Sequence, residues 1–339
     1  MTAPDTLGSI GELAVLQRIF PKLPPADSQL LGPGDDAAVM AAPDGRYVVT
    51  TDMMIHGPDF RLAWSTPHDL GWKAAASNLA DVAAMGAVPT GLVVALAAPA
   101  HTPVDVLTGF ADGMRDACAA LAPGCGVVGG DLSVSTTLTI AVTAFGDLEG
   151  RAPVLRSGAR IGDVVAVSGV LGEAAAGLRL LFERGVVPLA DASGAQTTMV
   201  PDAAAAAALR QQHPQVIAAQ LAPSPPIADG PAAAIAGATA MLDLSDGLAL
   251  DARRIAAASN VSLDLDSRLV GSREALDGGE DHSLLAVFPP EAALPGGFRP
   301  IGRVVERDPL TLDGLLVDGH VYTARGGWDP YAGWNGKVG

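Results

Sequence analysis

The sequence predicts a two-domain α/β (α+β) architecture, and three observations carry that expectation. Strand-like and helix-like runs alternate through the first 150 residues in the order β-α-β-α-β-β. Between residues 150 and 163 ("GRAPVLRSGARIGD") the composition turns to arginine, glycine and proline before a fresh apolar run, "VVAVSG", begins. A domain join there divides the chain into residues 1–150 and 151–339, and the second part repeats the mixed pattern in class, without a repeat of sequence. With 49% apolar and 17% charged residues, the 339-residue chain has material for two packed cores.

The elements follow in order. "YVVTTDMMI" (47–55) reads as a strand with a polar centre. In "STPHDLGWKAAASNLADVAAMGAVP", Thr66 can cap a helix, Pro67 suits its first position, and Gly86 with Pro89 ends it. That helix aligns Lys73, Ser77 and Asp81 at i, i+4 and i+8, with Asn78 beside them, as a polar stripe that is either functional or a solvated face. "GLVVALAAP" is a buried strand, "VDVLTGFADGMRDACAALA" a helix, "GVVGGD" a strand ending in a turn, and "STTLTIAVTAFGDL" another strand. In the second half, Ala203 to Ala208 reads as a helix interior. "ATAMLDLSDGLALDARRIAAASNVSLDLD" gives a strand ending at Asp243, a Ser-Asp-Gly turn, a helix to about Ser259 and a strand from Val261.

A formal net charge of -16 argues against a general attraction to nucleic acid or to anionic membrane, so an anionic ligand needs metal ions to mediate. No apolar run reaches a membrane span, and the start lacks the basic and apolar parts of a signal peptide, so the expected compartment is the cytoplasm. Cys118 and Cys125, seven apart, form neither a redox pair nor a zinc pattern.

The chemistry gathers in aspartates. Asp36 in "GPGDDAA", Asp52 in "TTDMM", Asp131 in "VVGGDLS", and Asp243 and Asp246 in "LDLSDGL" are read as lying at strand ends beside glycine, and Asp81 joins them from its helix. Strand ends are where α/β folds place ligands. Each could alone be a turn or a helix cap. Six carboxylates converging without a neighbouring lysine or arginine require a hard cation, and Mg²⁺ with a phosphate substrate is the economical reading. Thr50 and Thr51 could add oxygens, Gly129 and Gly130 allow a phosphate close to the backbone, and the helix start after Asp246 offers N–H groups to an anion. Neither a GxxxxGK[ST] loop nor the protein-kinase motif set is present.

Taken together and in order, "GDDAAV", "TTDMMIHGPDF", "NLADVAAMGAVP", "VGGDLS", "RSGARIGD", "LDLSDGL" and "GGEDHSLL" resemble the thiamine-monophosphate kinase family, as do the opening "GSIGELAVLQRIF" and the closing "GGWDPY". The resemblance spans nearly the whole chain. It implies the two-domain (PurM-like) fold of the aminoimidazole ribonucleotide synthetase superfamily, with an N-terminal domain that dimerises. It also implies ATP-dependent phosphorylation of thiamine monophosphate to thiamine diphosphate, by in-line transfer assisted by several Mg²⁺ ions and with no dedicated base. By the same resemblance, Asp36, Thr50, Thr51, Asp52, Asp81, Asp131, Asp243 and Asp246 are metal positions. Gly130, Asp131, Arg156 and Ser245 would contact ATP, and Asp59, Glu280 and Tyr331 would hold the thiamine phosphate. Asp35 would shape the turn rather than bind.

The chain departs from that family's pattern at Ala222 and Pro226, where an arginine-bearing segment is usual, and at His282, where tyrosine is frequent. Two rivals remain: another ATP-dependent enzyme of the same superfamily, and a non-catalytic divalent-metal-binding dimer.

Overall fold

The structure, a computed structural model, describes residues 5–31, 38–190, 197–307 and 314–327. Asp35, Asp36 and Tyr331 lie outside the described residues.

The first half contains α1 (Leu7–Ile19), a short 3-10 turn (Phe20–Lys22), β1 (Gln29–Leu31), β2 (Val39–Met40), β3 (Val48–Ile55), α2 (Pro67–Ala84), β4 (Val88–Ala98), α3 (Val104–Leu121), β5 (Gly126–Val134) and β6 (Thr139–Asp147). Its main sheet runs β3-β6-β4-β5, antiparallel except for the β4–β5 pair. Thr66 caps α2 as expected: its side chain accepts from the Asp69 N–H, and the Asp69 carboxylate accepts from the Thr66 N–H.

Residue composition explains where α2 sits. Fourteen of its 18 residues are buried, so this helix has no solvent face and lies inside the molecule. It crosses α3 at glycines: a Cβ on Gly71 would stand 1.9 Å from the Phe110 carbonyl oxygen, and one on Gly113 2.0 Å from that of His68. Larger residues there would push the helices apart.

The second half contains β7 (Val164–Ser168), α4 (Glu173–Arg184), β8 (Val186–Ala190), β9 (Thr197–Pro201), α5 (Ala203–Gln212), α6 (Pro214–Leu221), α7 (Asp229–Ile235), β10 (Ala240–Leu244), α8 (Leu248–Ser259), β11 (Ser262–Leu265), α9 (Ser267–Val270), α10 (Arg273–Asp277), β12 (Ser283–Phe288), β13 (Arg299–Val305), β14 (Leu315–Val317) and β15 (His320–Val321). Seven strands form one sheet in the order β10-β12-β7-β13-β11-β14-β15. The alanine run is helical in α5, capped by the Asp202 carboxylate on the Ala205 N–H. One apolar cluster packs α8 against the large sheet, and a second brings Ala84 of α2 against Met241, Leu284 and Phe288. No described helix is long and apolar enough to cross a membrane.

Two expectations about strand ends are corrected. Asp52 lies in the middle of β3, opposite Val142, and Asp131 lies inside β5, opposite Ala95. The Gly-Gly pair before Asp131 does not turn the chain; a Cβ on Gly130 would be 2.1 Å from the Val94 carbonyl oxygen, so the glycine lets β5 run against β4.

Candidate functional site

The site forms where α2 separates the small sheet from the β10 edge of the large one. Alternation along β3 puts Thr50 and Asp52 on the face covered by α2, while Thr51 faces the other way and its hydroxyl donates to the Val142 carbonyl at 2.9 Å. The α2 stripe meets that face. Thr50 Oγ1 donates to Asp81 Oδ2 at 2.8 Å, and the Asp52 N–H donates to Asn78 Oδ1 at 3.1 Å. Lys73, Ser77 and Asn78 are all buried, which rules out the solvated-face reading of the stripe.

From the second half come Asp243, at the penultimate position of β10, and Asp246 in the turn that follows. This turn is held against residues 277–280 by close backbone contact. A Cβ on Gly279 would fall 2.6 Å from the Ser245 carbonyl oxygen, and Gly247, at φ 122°, would bring its own to 2.9 Å from that of Asp277. The Glu280 N–H donates to the Ser245 carbonyl at 2.8 Å.

The electrostatics show the crowding. Burial, followed by the charges of Asp243 and Asp52, pushes the Asp81 carboxyl up to about 7, against the hydrogen bond from Thr50. Asp52 is raised by the low-dielectric cleft walls first, then by Asp243, Glu280 and Asp246, with His282 opposing. Asp59, whose carboxylate accepts the Ile55 N–H at 2.7 Å, is raised by burial and by Glu280.

The expectation that no cation of the protein stands near is wrong. Lys73 pairs with Glu280, Arg254 pairs with Asp246 at 2.5 Å and also with Asp251, and His282 Nδ1 lies 3.2 Å from Asp243 Oδ2. Burial alone would depress His282, but its bond to Asp243 and the charges of Asp243 and Glu280 prevail and raise it. Glu280 would be raised by burial, yet the Lys73 charge, His282 and the Lys73 hydrogen bond together lower it.

The start of α8 departs in part from expectation. The N–H groups of Asp246 and Gly247 are not free for an anion, because both donate to Asp251 Oδ2 at 3.1 Å. Asp251 is fully buried and pushed up to about 7 by burial, despite Arg254, with Asp243 and Asp246 adding to the rise. Sequence reading passed over Asp251 and Arg254; an acid in the first turn of a helix after "SDG" was the available signal.

The structure does not bring every expected residue here. Asp131, whose carboxylate accepts from Ser133 Oγ at 2.8 Å, sits on β5, three strands from β3 and hence roughly 14 Å or more from Asp52. Arg156 is exposed, and its carbonyl accepts from Ser259 Oγ at 3.2 Å, at the far end of α8 from Asp246. The segment with Ala222 and Pro226 contributes backbone instead of guanidinium: Trp72 Nε1 donates to the Pro223 carbonyl at 2.7 Å.

Among the described residues no three acid, histidine or cysteine side chains close into a metal cage. An open set of hard carboxylate oxygens on a cleft nevertheless fits Mg²⁺, which is usually bound through one or two carboxylates together with substrate phosphates. The raised Asp81 supports that fit, since burial, and after it the charges of Asp243 and Asp52, favour a proton or a cation there.

Two sheets bridged by a buried helix, with acidic groups lining the crevice, define the class. Residues 34–148 match the family model described as AIR synthase related protein, N-terminal domain. The chain is 43% identical to the thiamine-monophosphate kinase of Mycobacterium tuberculosis, over 97% of this chain and 94% of that one. Its fold is similar to the crystal structure of thiamine-monophosphate kinase from Stenotrophomonas maltophilia (TM-score 0.71, 29% identity, 92% and 98% of the two chains). It is likewise similar to AaThiL complexed with AMPPCP and TMP (TM-score 0.67, 32% identity, 86% and 90%). The chain belongs to the thiamine-monophosphate kinase family.

Proposed function

We propose that this chain transfers the terminal phosphoryl group of ATP to the phosphate of thiamine monophosphate, giving thiamine diphosphate and ADP. The observation that carries the reading is the set Asp52, Asp81, Asp243 and Asp246, drawn from both halves into one place, where burial and the neighbouring carboxylate charges raise Asp52 and Asp81. It is supported by the near full-length likeness to kinases of that name and to a relative holding AMPPCP and TMP.

An oxygen of the acceptor phosphate forms the new bond to the γ-phosphorus, and the bond from that phosphorus to the β,γ-bridging oxygen breaks. The acceptor oxygen is already anionic at neutral pH, so no side chain has to remove a proton; the obstacle is repulsion between anions. Asp52, Asp81, Asp243 and Asp246 are the residues that would hold Mg²⁺, which supplies charge neutralisation between the phosphates. Thr50 and Asn78 orient this set, through the Asp81 carboxylate and the Asp52 backbone. His282 fixes the Asp243 carboxylate from behind. Asp59 and Glu280 present carboxylates to the cationic thiazolium ring.

The domain limits 1–150 and 151–339, and a cytoplasmic location where ATP is supplied, belong to the same proposal. So does a homodimer. Val49, Met53 and Ile55 leave one face of β3 apolar and exposed, and Asp131 and Arg156 stand apart from the cluster within one chain. A second copy is the arrangement that can bring them to it. The test is to supply ATP and Mg²⁺ with thiamine monophosphate or with thiamine. ADP and thiamine diphosphate formed only with the monophosphate support the reading, and divalent binding without turnover refutes it.

A further inference from the structure

Three successive features of α2 tie it to the second half. Asp69 receives both terminal nitrogens of Arg210, at 2.6 and 3.2 Å, and the Trp72 indole donates to the Pro223 carbonyl at 2.7 Å. The third is Lys73, which alone ends beside the cleft. Its ammonium has three donors. The Glu280 carboxylate takes one and the Gln220 carbonyl, at 3.1 Å, another. With the Gln220 amide turned so that its nitrogen donates to the Ala174 carbonyl at 3.0 Å, the amide oxygen lies 3.3 Å from Lys73 Nζ and takes the last.

The two members of this pair differ in access. Lys73 is 5% exposed, whereas the Glu280 side chain keeps 36% of its surface. Glu280 also sits at φ 71°, a left-handed conformation that a residue with a Cβ adopts only under constraint. Its N–H is tied to Ser245, so the loop presents the carboxylate at a set place. A sealed cation thus faces a glutamate whose side chain is still partly open.

A carboxylate already paired with an ammonium accepts a second cation only by sharing or yielding, and a buried lysine that loses its carboxylate draws in another anion. A ligand that carries both a permanent cation and a phosphate meets both demands at once. Resting on the thiamine monophosphate reading above, we propose that Lys73 is a specificity-determining residue: the resident partner of Glu280, displaced by the substrate's cationic ring and re-paired with its phosphate. Gln220 keeps the ammonium tethered while the partners change. The site therefore discriminates against thiamine, which brings the cation without the anion.

The experiment measures thiamine binding by calorimetry and the KM for thiamine monophosphate in the wild type, Lys73→Met, Lys73→Arg and Glu280→Gln. In Lys73→Met, thiamine binds about tenfold tighter while the KM for the monophosphate rises about tenfold, the order expected for close charge pairs. Lys73→Arg keeps the wild-type preference. In Glu280→Gln, thiamine weakens and pyrophosphate, as a probe of the released ammonium, inhibits several-fold more strongly. In the Glu280→Gln background, Lys73→Met no longer carries thiamine affinity above that of the wild type, because the gain needs the freed carboxylate. Equal or weaker thiamine binding in a folded Lys73→Met overturns the proposal, as does unchanged pyrophosphate inhibition in Glu280→Gln, which needs no lysine variant to fold. A wild type inactive toward thiamine monophosphate would refute the proposed reaction instead, and the thiamine-binding comparison would still decide the role of Lys73.

Discussion

Proton and metal should compete for the Asp81 cluster. The Asp81 carboxyl, pushed up to about 7, is mostly protonated at pH 6 and mostly ionised at pH 8. If the metal binds only the carboxylate, the free-energy cost at pH 6 is RT ln(1 + 10^(7−6)), about 1.4 kcal/mol, and at pH 8 it is close to zero. The apparent Kd for Mg²⁺ alone should therefore fall about tenfold between pH 6 and pH 8, with nearly one proton released per ion at pH 6 and about 0.1 at pH 8. Calorimetry in two buffers of different ionisation enthalpy reads both quantities without nucleotide, whose own phosphate titration would intrude. Asp81→Asn should bind more weakly at every pH and lose most of the slope. A Kd constant within twofold across this range in the wild type would refute the reasoning.

Metal-free stability should run the opposite way. Asp81 and Asp251 are both raised from 3.8 to about 7, so the folded state holds their protons and stability is lost as pH rises through that window, by at most about 4 kcal/mol each. Melting in EDTA should show a lower Tm at pH 8 than at pH 5, with Mg²⁺ restoring much of the difference; a Tm that climbs with pH would contradict this. Asp52→Asn should lower kcat by a hundredfold or more with little change in Tm, because it removes charge and keeps shape; near-normal kcat would remove Asp52 from the metal set. Arg210→Met leaves the nearly buried Asp69 carboxylate without its cation, with only the Thr66 N–H still donating to it, and should cost about 2–3 kcal/mol in urea unfolding, an unchanged midpoint being the refuting result.

Local signals in the sequence were strong wherever one element explains itself. Thr66 and Pro67 marked the start of α2, Asp202 preceded a helical alanine run, and the 3.6-residue period aligned Lys73, Ser77 and Asp81 before any contact was visible. The order of the family motifs carried the fold and the reaction. Pairings between distant segments were not legible, because nothing in "GGEDH" says that its glutamate meets a lysine of α2. Asp131 misled for a related reason: "GGD" is turn chemistry locally, and only the approach of β4 to Gly130 shows that the strand continues. The N–H groups beside Asp246 looked available until Asp251 was seen to fold back onto them.

The position of α2 also bears on how the chain matures on the ribosome. Its own residues are complete by Ala84, and α3 and the small sheet follow soon after. The opposite flank meets Arg210, Gln220, Pro223, Gly230 and Glu280, where even the Gly230 backbone comes so near that a Cβ there would be 2.1 Å from the Ala83 carbonyl oxygen. While the second half is still being translated, one side of this helix has its neighbours and the other has none. Until the segment from Glu280 to Phe288 has been made, the N-terminal half carries Lys73 without its carboxylate and the Ala84 end of α2 without its apolar cover, so this flank is the last to close.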